Sequence, residues 1–365
     1  MRFDGVALCS ILFKYINAIK NGSVPISPEL YSHYADNLRR AVDAVPALSP
    51  DLAAQFHANV SRFAAYKAYK ATTDIRTALG DDPQAARATL RRYNTWQAAE
   101  YNTAVHRART AEQWERFSSE KNVRLFPNLR WIPSRSATPR EAHRRFWNRI
   151  WAKDDPFWNE NTPGTLWNCK CDWEQTNRPV TDGNPTTTVT AKGLSGNPAK
   201  TGEIFTSTPP EPGHRDLRHP YFANAPEDKV EPIALNLTRK SCLQWAKDNL
   251  QGKTTTPPSF GKKIAFTGKG IRDYLNQPID EPILKAEMIR FMPALLDIAS
   301  YLGYSDFKAS DSIRHSHIFE LHIAGKTLWL IVREYTNNDI SFYSITNKAD
   351  VLIGLIYKEN TRPLE

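Results

Sequence analysis

Apolar and aromatic positions recur at helical spacing through the first third of the chain. In Pro28-Glu-Leu-Tyr-Ser-His-Tyr-Ala-Asp-Asn-Leu-Arg-Arg-Ala-Val they predict an amphipathic helix, with Ser27 as N-cap and Pro28 at the first helical position. Ser49-Pro50-Asp51 repeats the signal for a second helix and Asp82-Pro83 for a third. The third runs through Tyr93, Trp96, Ala99, Tyr101 and Val105 towards Trp114. Residues 1 to about 120 therefore read as helical, with the aromatics as core. From Phe126 to Asn177 the period is lost, and tryptophans cluster at 131, 147, 151, 158, 167 and 173 between Pro and Asn. This predicts a compact irregular α+β module with short strands, which completes a first domain over 1–177. Residues 178–235 are rich in Pro, Thr, Gly and Asn, exemplified by Pro185-Thr-Thr-Thr-Val-Thr. They predict an extended linker with little apolar surface to bury. A short helix from Ser241 to Leu250 follows.

Periodicity returns in a second domain, 236–357. Pro282 to Leu302 reads as one helix with Leu284, Met288, Ile289, Met292, Leu295, Leu296, Ile298 and Ala299 on its buried stripe, a kink at Pro293 and a C-cap at Gly303. Three alternating runs, His317–Ala324, Thr327–Glu334 and Ile340–Thr346, read as strands of an antiparallel sheet. Gly325-Lys326 and Asn337-Asn338 are the expected turns. That register sets His322 opposite Trp329, Glu320 opposite Ile331, Ile331 opposite Ser344 and Arg333 opposite Phe342. Alternation then gives Phe319, Leu321, Ile323, Leu328, Leu330, Val332, Tyr343 and Ile345 to the helix-covered face. Glu320, His322, Trp329, Arg333, Ser344 and Thr346 fall on a polar face. The expected fold class is multidomain: a mainly α N-terminal region, an irregular α+β module, and a C-terminal α+β domain with a helix on an antiparallel sheet.

The net charge of +9 favours a polyanionic partner. Four cysteines, Cys9, Cys169, Cys171 and Cys242, are too few and too unevenly spaced for a disulfide framework. The apolar run Gly5–Phe13 is too short to span a membrane and lacks a cleavage signature. A soluble protein made in a reducing cytoplasm is expected, with no membrane partner. No internal repeat, phosphate loop or dinucleotide fingerprint is present.

Two constellations carry chemistry. Cys169 and Cys171 place two thiols on one side of a strand, and with His143 and Asp155 they offer a zinc ligand set; the alternative is a pair of buried reduced thiols. On the second domain's polar face, histidines, Arg333, Glu320 and hydroxyls match what metal-free RNA cleavage needs. It takes a base for the 2′-hydroxyl, a cation for the phosphoryl charge and an acid for the leaving 5′-oxygen. Arg333 is the expected phosphate clamp, His317 or His322 the base or acid, and Ser344 and Thr346 hydrogen-bond donors. Trp329 is the expected base-stacking ring, and Lys285 a second phosphate contact. No cofactor is expected for catalysis. His317 heads its strand on the core side near Glu334, so a structural His–Glu pair is the alternative there; His315 is read as loop.

The ordered motifs Leu125-Phe-Pro-Asn-Leu-Arg-Trp-Ile-Pro-Ser, Thr138-Pro-Arg-Glu-Ala-His143, Asp154-Asp-Pro-Phe-Trp158, Pro163-Gly164 and Trp167-Asn-Cys-Lys-Cys171 resemble the Mu F-like phage head morphogenesis family. The helix before them, with Tyr93-Asn94, Glu100-Tyr101-Asn102 and Gln113-Trp114, is similar too; the likeness covers roughly residues 55 to 177. Ser134-Arg-Ser-Ala-Thr-Pro139 departs from it where an acidic residue and arginines are usual. Phe266-Thr-Gly-Lys-Gly-Ile-Arg-Asp, Lys285, His317-Ile-Phe, Trp329-Leu-Ile-Val-Arg-Glu and Tyr343-Ser-Ile-Thr resemble the phage nucleases of the barnase–EndoU–colicin–RelE group, over roughly 260 to 350. Together these resemblances imply a minor head protein with a toxin-like ribonuclease behind it. The implied partners are portal or capsid proteins, an RNA substrate and an immunity protein. The implied locations are the cytoplasm during assembly, then the virion, with delivery into a host. Two other readings compete: a head protein whose last domain only binds nucleic acid, and a polymorphic toxin with a Mu F packaging module.

Overall fold

A computed structural model describes residues 24–81, 83–306 and 312–357. The run Gly5–Phe13, with Cys9, lies outside them. The chain forms two compact units: residues 24–52 with 59–234, and residues 53–58 with 235–357.

The first unit opens with α1 (Pro28–Asp43), α2 (Pro50–Asp81) and α3 (Pro83–Phe117). Ser27 caps α1 as its sequence predicts, its hydroxyl accepting from the Leu30 amide, and Ser49 accepts from Leu52. The aromatic stripe is core: Tyr31, Tyr34, Phe63, Tyr66 and Tyr93 are all buried. Inside it Lys67 and Glu100 form a buried ion pair, and Tyr34 lies with its ring 4.4 Å from the Lys67 ammonium. After a short α4 (Glu120–Leu125), the tryptophan-rich stretch folds into a three-stranded antiparallel sheet. Its strands are β1 (Asn128–Ile132), β2 (Ile150–Ala152) and β3 (Asp172–Thr176), in the order β2-β1-β3. Trp131 stacks parallel to Trp158 at 6.2 Å and Trp151 on Phe157 at 4.2 Å, around a core closed by Trp173 and the two cysteines. Area burial by rings of this size explains how so short a sheet holds together.

The stretch expected as an extended linker is irregular, but it is packed. Leu194, Ile204 and Phe205 are fully buried, and Phe205 stacks on Phe63 at 4.0 Å. Asn59 bonds both backbone groups of Phe205, and the Arg107 guanidinium donates to the carbonyls of Leu194, Ser195, Gly196 and Glu203. A Thr/Pro/Gly stretch has little apolar surface of its own. Here the helices supply the donors that let its backbone be buried. The end of this region differs as well. Three short helices, α5 (Phe157–Glu160), α6 (Pro198–Thr201) and α7 (Pro220–Ala223), lead to α8, which runs from Glu227 to Asn249 through Pro232 where a short helix from Ser241 was expected.

In the second unit a seven-stranded mixed sheet runs in the order β10-β6-β7-β8-β9-β5-β4. Its strands are β4 (Thr254–Thr255), β5 (Ile264–Ala265), β6 (Ser300–Ser305), β7 (Ile313–Ile323), β8 (Lys326–Tyr335), β9 (Ile340–Thr346) and β10 (Leu355–Tyr357). Among the described residues only the pairing of β5 with β9 is parallel. One face packs on α9 (Gly268–Asn276), α10 (Pro282–Met288) and α11 (Met292–Ile298) through Phe319, Leu321, Ile323, Leu328, Leu330, Val332, Phe342 and Ile345.

Three expectations change. The single helix over 282–302 is two helices joined by a 3₁₀ turn at Ile289–Phe291, with Pro293 in the first turn of α11. Its last residues, Ser300–Leu302, belong to β6. Gly303 lies inside that strand and is no C-cap. At φ +151° it lets the Ile356 carbonyl approach to where a Cβ would sit 2.1 Å away. The β7–β8 hairpin loop is Ala324-Gly325, at φ +53° and +70°, not Gly325-Lys326. A two-residue loop with both residues left-handed favours Gly second, and moving the loop by one residue moves each pairing by two, which leaves the faces unchanged: His322 pairs with Thr327 and Glu320 with Trp329. At the β8–β9 turn Asn338 is the left-handed residue, at φ +68°, and a bulge between Ile331 and Val332 keeps Ile331 opposite Ser344 but sets Arg333 opposite Ser341. Phe342 therefore enters the core in place of Tyr343.

Candidate functional site

The expected polar face is only partly polar and only partly open. Ile318, Trp329 and Leu355 form a second small core there with Leu302, Ile331, Val351, Leu352 and Tyr357, because the segment after β9 folds back over the sheet. Trp329 is 9 % exposed, which removes it as a stacking platform. The Arg333 guanidinium lies 3.2 Å from the centroid of the Tyr343 ring. Glu320 and His322 remain at the rim, 3.3 Å apart, with His322 also 3.2 Å from the Thr327 hydroxyl. Thr346 accepts from the Lys348 amide and starts the following turn. Ser344 is fully buried and donates to the Gln277 side chain. Lys285 points inward, donating to the Gln277 carbonyl at 2.7 Å with its ammonium 5.1 Å from the Tyr274 ring centre. Burial pushes it down to about 8, with help from Arg239. Of the expected catalytic groups, Glu320 and His322 come together and the others do not join them.

The denser constellation lies on the opposite face, at the far end of β7. His317 is 3 % exposed, and its two ring nitrogens are both engaged: Nε2 with Glu334 and Nδ1 with the Tyr301 hydroxyl, each at 2.9 Å. Burial holds the imidazole below its ordinary range, against the pull of Glu334. Burial alone would raise the Glu334 carboxyl, but the His317 hydrogen bond and Lys262 outweigh it and hold it below the usual carboxylate range. A neutral ring beside a carboxylate must donate from Nε2, so Nδ1 accepts from Tyr301. Lys262 approaches Glu334 at 3.4 Å and Arg314 at 3.6 Å.

His315 is on the strand, not in a loop. It pairs with Glu334, its ring centre is 6.2 Å from that of His317, and Asp306 holds its Nδ1 at 2.7 Å. Tyr304 packs edge-on against it at 4.6 Å. His315, Tyr301, Lys262, Arg314 and Asp306 were not singled out from the sequence. The His315/His317 spacing of two was the available signal, since it puts both rings on one strand face.

In the first unit three of the four expected ligands converge, His143, Cys169 and Cys171. His143 Nδ1 lies 3.4 Å from the Cys169 sulfur and 3.8 Å from that of Cys171, and all three ligand atoms fall within 4.8 Å of one another. The residues are buried, at 0 %, 5 % and 2 % exposure. His143 comes from a 3₁₀ turn (Glu141–Phe146), and its Nε2 meets the Thr165 hydroxyl at 3.3 Å, itself bonded to the carbonyls of Thr162 and Val189. Hydrogen bonding from the Cys169 thiol brings Cys171 down to about 4, assisted by His143 and Trp131, while Cys169 is raised. Asp155 is not part of this group; its carboxylate accepts from the Phe157 amide at 2.8 Å. A buried His/Cys/Cys group of metal-binding make-up is thus present.

Residues 235–343 match the model of a family described as large polyvalent protein-associated domain 3. The match begins where the continuous part of the second unit begins, at Leu235. It fits a phage-type or polymorphic-toxin-type protein. No curated protein and no solved structure matches the chain. No helix among the described residues is long and apolar enough to cross a membrane.

Proposed function

We propose that this is a phage-type head protein whose second unit cleaves RNA without a metal, at a centre built on His315, His317 and Tyr301. The observation that carries the reading is the pair of imidazoles on one strand face, each held by its own carboxylate, with two cations beside them. Asp306 takes Nδ1 of His315 and leaves Nε2 to accept the 2′-hydroxyl proton. The 2′-oxygen bonds to phosphorus as the bond to the 5′-oxygen breaks. Tyr301, which His317 and Glu334 hold in place, turns its hydroxyl from Nδ1 to that leaving oxygen and gives it the proton, and solvent then carries the proton from His315 back to Tyr301. The product ends in a 2′,3′-cyclic phosphate. Lys262 and Arg314 meet the charge that builds on the phosphoryl oxygens. This reading replaces Arg333 and His322 as the central groups.

The test is cleavage of total bacterial RNA by the full chain in EDTA. His315→Ala and His317→Ala should each lose roughly 10²- to 10⁴-fold, while Arg333→Ala and His322→Ala stay near the parent. RNA left intact by the parent, or cut equally well by both histidine variants, would overturn the reading.

The first unit is, in the same proposal, the head module that its Mu F-like motifs imply, docking to portal or capsid proteins, and its His/Cys/Cys group holds zinc. With Zn–S near 2.3 Å and Zn–N near 2.0–2.1 Å, a tetrahedral ion needs an N-to-S edge of about 3.6 Å. The observed 3.4 and 3.8 Å bracket it. The Thr165 contact supplies the outer partner that a ligating imidazole requires. Finding the chain in purified particles tests the head role, and metal analysis tests the zinc.

A further inference from the structure

We infer that His106, on α3, is the fourth ligand of a His143/Cys169/Cys171 metal centre, which then staples that helix to the tryptophan-rich module. The inference rests on the metal reading above and adds a ligand that the Cys-x-Cys spacing gives no hint of. A tetrahedral structural zinc site is closed by four protein ligands, and three are in place. The neighbouring acids are committed. Asp155 caps the Phe157 amide, and the Asp172 carboxylate accepts from the Trp173 amide at 2.9 Å and from Gln113 at 3.3 Å.

His106 is not committed. Its Nε2 is buried and has no hydrogen-bond partner, a costly state for a ring nitrogen. A Cβ on Gly164, whose φ is +102°, would sit 3.0 Å from Arg107 Cγ and 3.3 Å from the His106 ring edge, so the 162–169 loop passes close against that imidazole. The Gly164 amide in turn faces the Cys169 sulfur. The orphan imidazole and the Cys169 thiol therefore both lie against Gly164. His106 stands outside the 4.8 Å group of three, so binding requires its ring to swing inward.

The full chain, loaded with Co²⁺ as a spectroscopic substitute for Zn²⁺, should take up one equivalent. Its visible bands should have four-coordinate intensity, and its near-ultraviolet thiolate-to-cobalt bands should correspond to two sulfurs. His106→Gln should weaken Co²⁺ binding at least ~10-fold and lower the visible intensity. His106→Cys should restore four-coordination and raise the thiolate band about one and a half times, three sulfurs for two. A parent chain that takes up neither Co²⁺ nor Zn²⁺ overturns the metal reading itself. A parent that binds Co²⁺, with a thiolate band unchanged in His106→Cys, overturns the His106 assignment alone.

Discussion

Replacing Arg107 with Met keeps the hydrocarbon stem in its groove and deletes the guanidinium. Four carbonyls, those of Leu194, Ser195, Gly196 and Glu203, then lose their donor at distances of 2.9 to 3.4 Å. Charge-assisted bonds contribute about 1.5 kcal/mol or more each, so about 6 kcal/mol is forfeited. The buried cation had its own cost. Burial pulls Arg107 from 12.5 down to about 10, and at about 1.4 kcal/mol per pH unit its removal returns about 3 kcal/mol. The net loss is about 3 kcal/mol, near a 6–12 °C fall in Tm for a unit of this size. Calorimetry of the full chain reads the first number. Trypsin reads the second consequence: Lys192 and Lys200 lie in the clamped loop and should be cut faster in Arg107→Met than in the parent. A Tm within 2 °C of the parent, with the loop still protected, would refute the view that this arginine holds the 194–203 segment in place.

Other outcomes follow from the same coordinates. His219 is buried among Phe63, Trp167 and Tyr221 and burial brings it down to about 3. The unfolded ring protonates near 6.5 while the folded one does not, so stability is full above that pH and falls with acid. By pH 5 the loss is about 2 kcal/mol, and urea titration of His219→Gln against the parent should show a flatter slope between pH 6.5 and 4. Gly303→Ala puts a methyl into the Ile356 carbonyl; it should break the β6–β10 pairing, uncover Trp329 and shift tryptophan emission to the red, and unchanged emission would contradict that. Glu334→Gln removes the group that pulls the His317 pKa upward, so the imidazole should titrate lower still in an NMR series, and an upward move would show the carboxylate has another role.

The helical third was legible because caps and periodicity agree there. Ser27, Ser49 and Pro28 each do locally what their chemistry favours, and the caps can be read without the distant bonds that Ser27 and Ser49 also make to Thr72 and Glu115. The 178–235 stretch was illegible for the opposite reason. Its burial is decided by Asn59 and Arg107, residues at least 87 positions away from the backbone groups they bond, and composition within the stretch carries no trace of them. The break at Ser300 was hidden in a similar way: Leu302 continues an apolar helical stripe, but β10 claims the segment as a strand through Gly303.

In the second unit the two faces of the sheet are told apart by parity. Hydrophobic alternation correctly sent Phe319, Leu321, Leu328 and Leu330 to the helix side, and with them His317 beside Glu334. It also invited the inference that the other face is the working one, because polar side chains on an open sheet face look purposeful. The fold-back after β9 overturns that inference, since Ile318, Ile331 and Trp329 needed a cover and Val351, Leu352 and Leu355 provide it. The carboxylate-held histidines survive where the helix layer does not cover the end of the core face. Phe260 packs against His317 at 4.8 Å and closes the apolar side, while Lys262 and Arg314 stand half-exposed at the open one. In the proposed reaction a phosphodiester approaching from solvent would meet the cations first and the Tyr301–His317–Glu334 chain behind them. Substitution of Lys262 and Arg314 should accordingly weaken RNA binding and its salt dependence, whereas His315 and His317 should govern the chemical step.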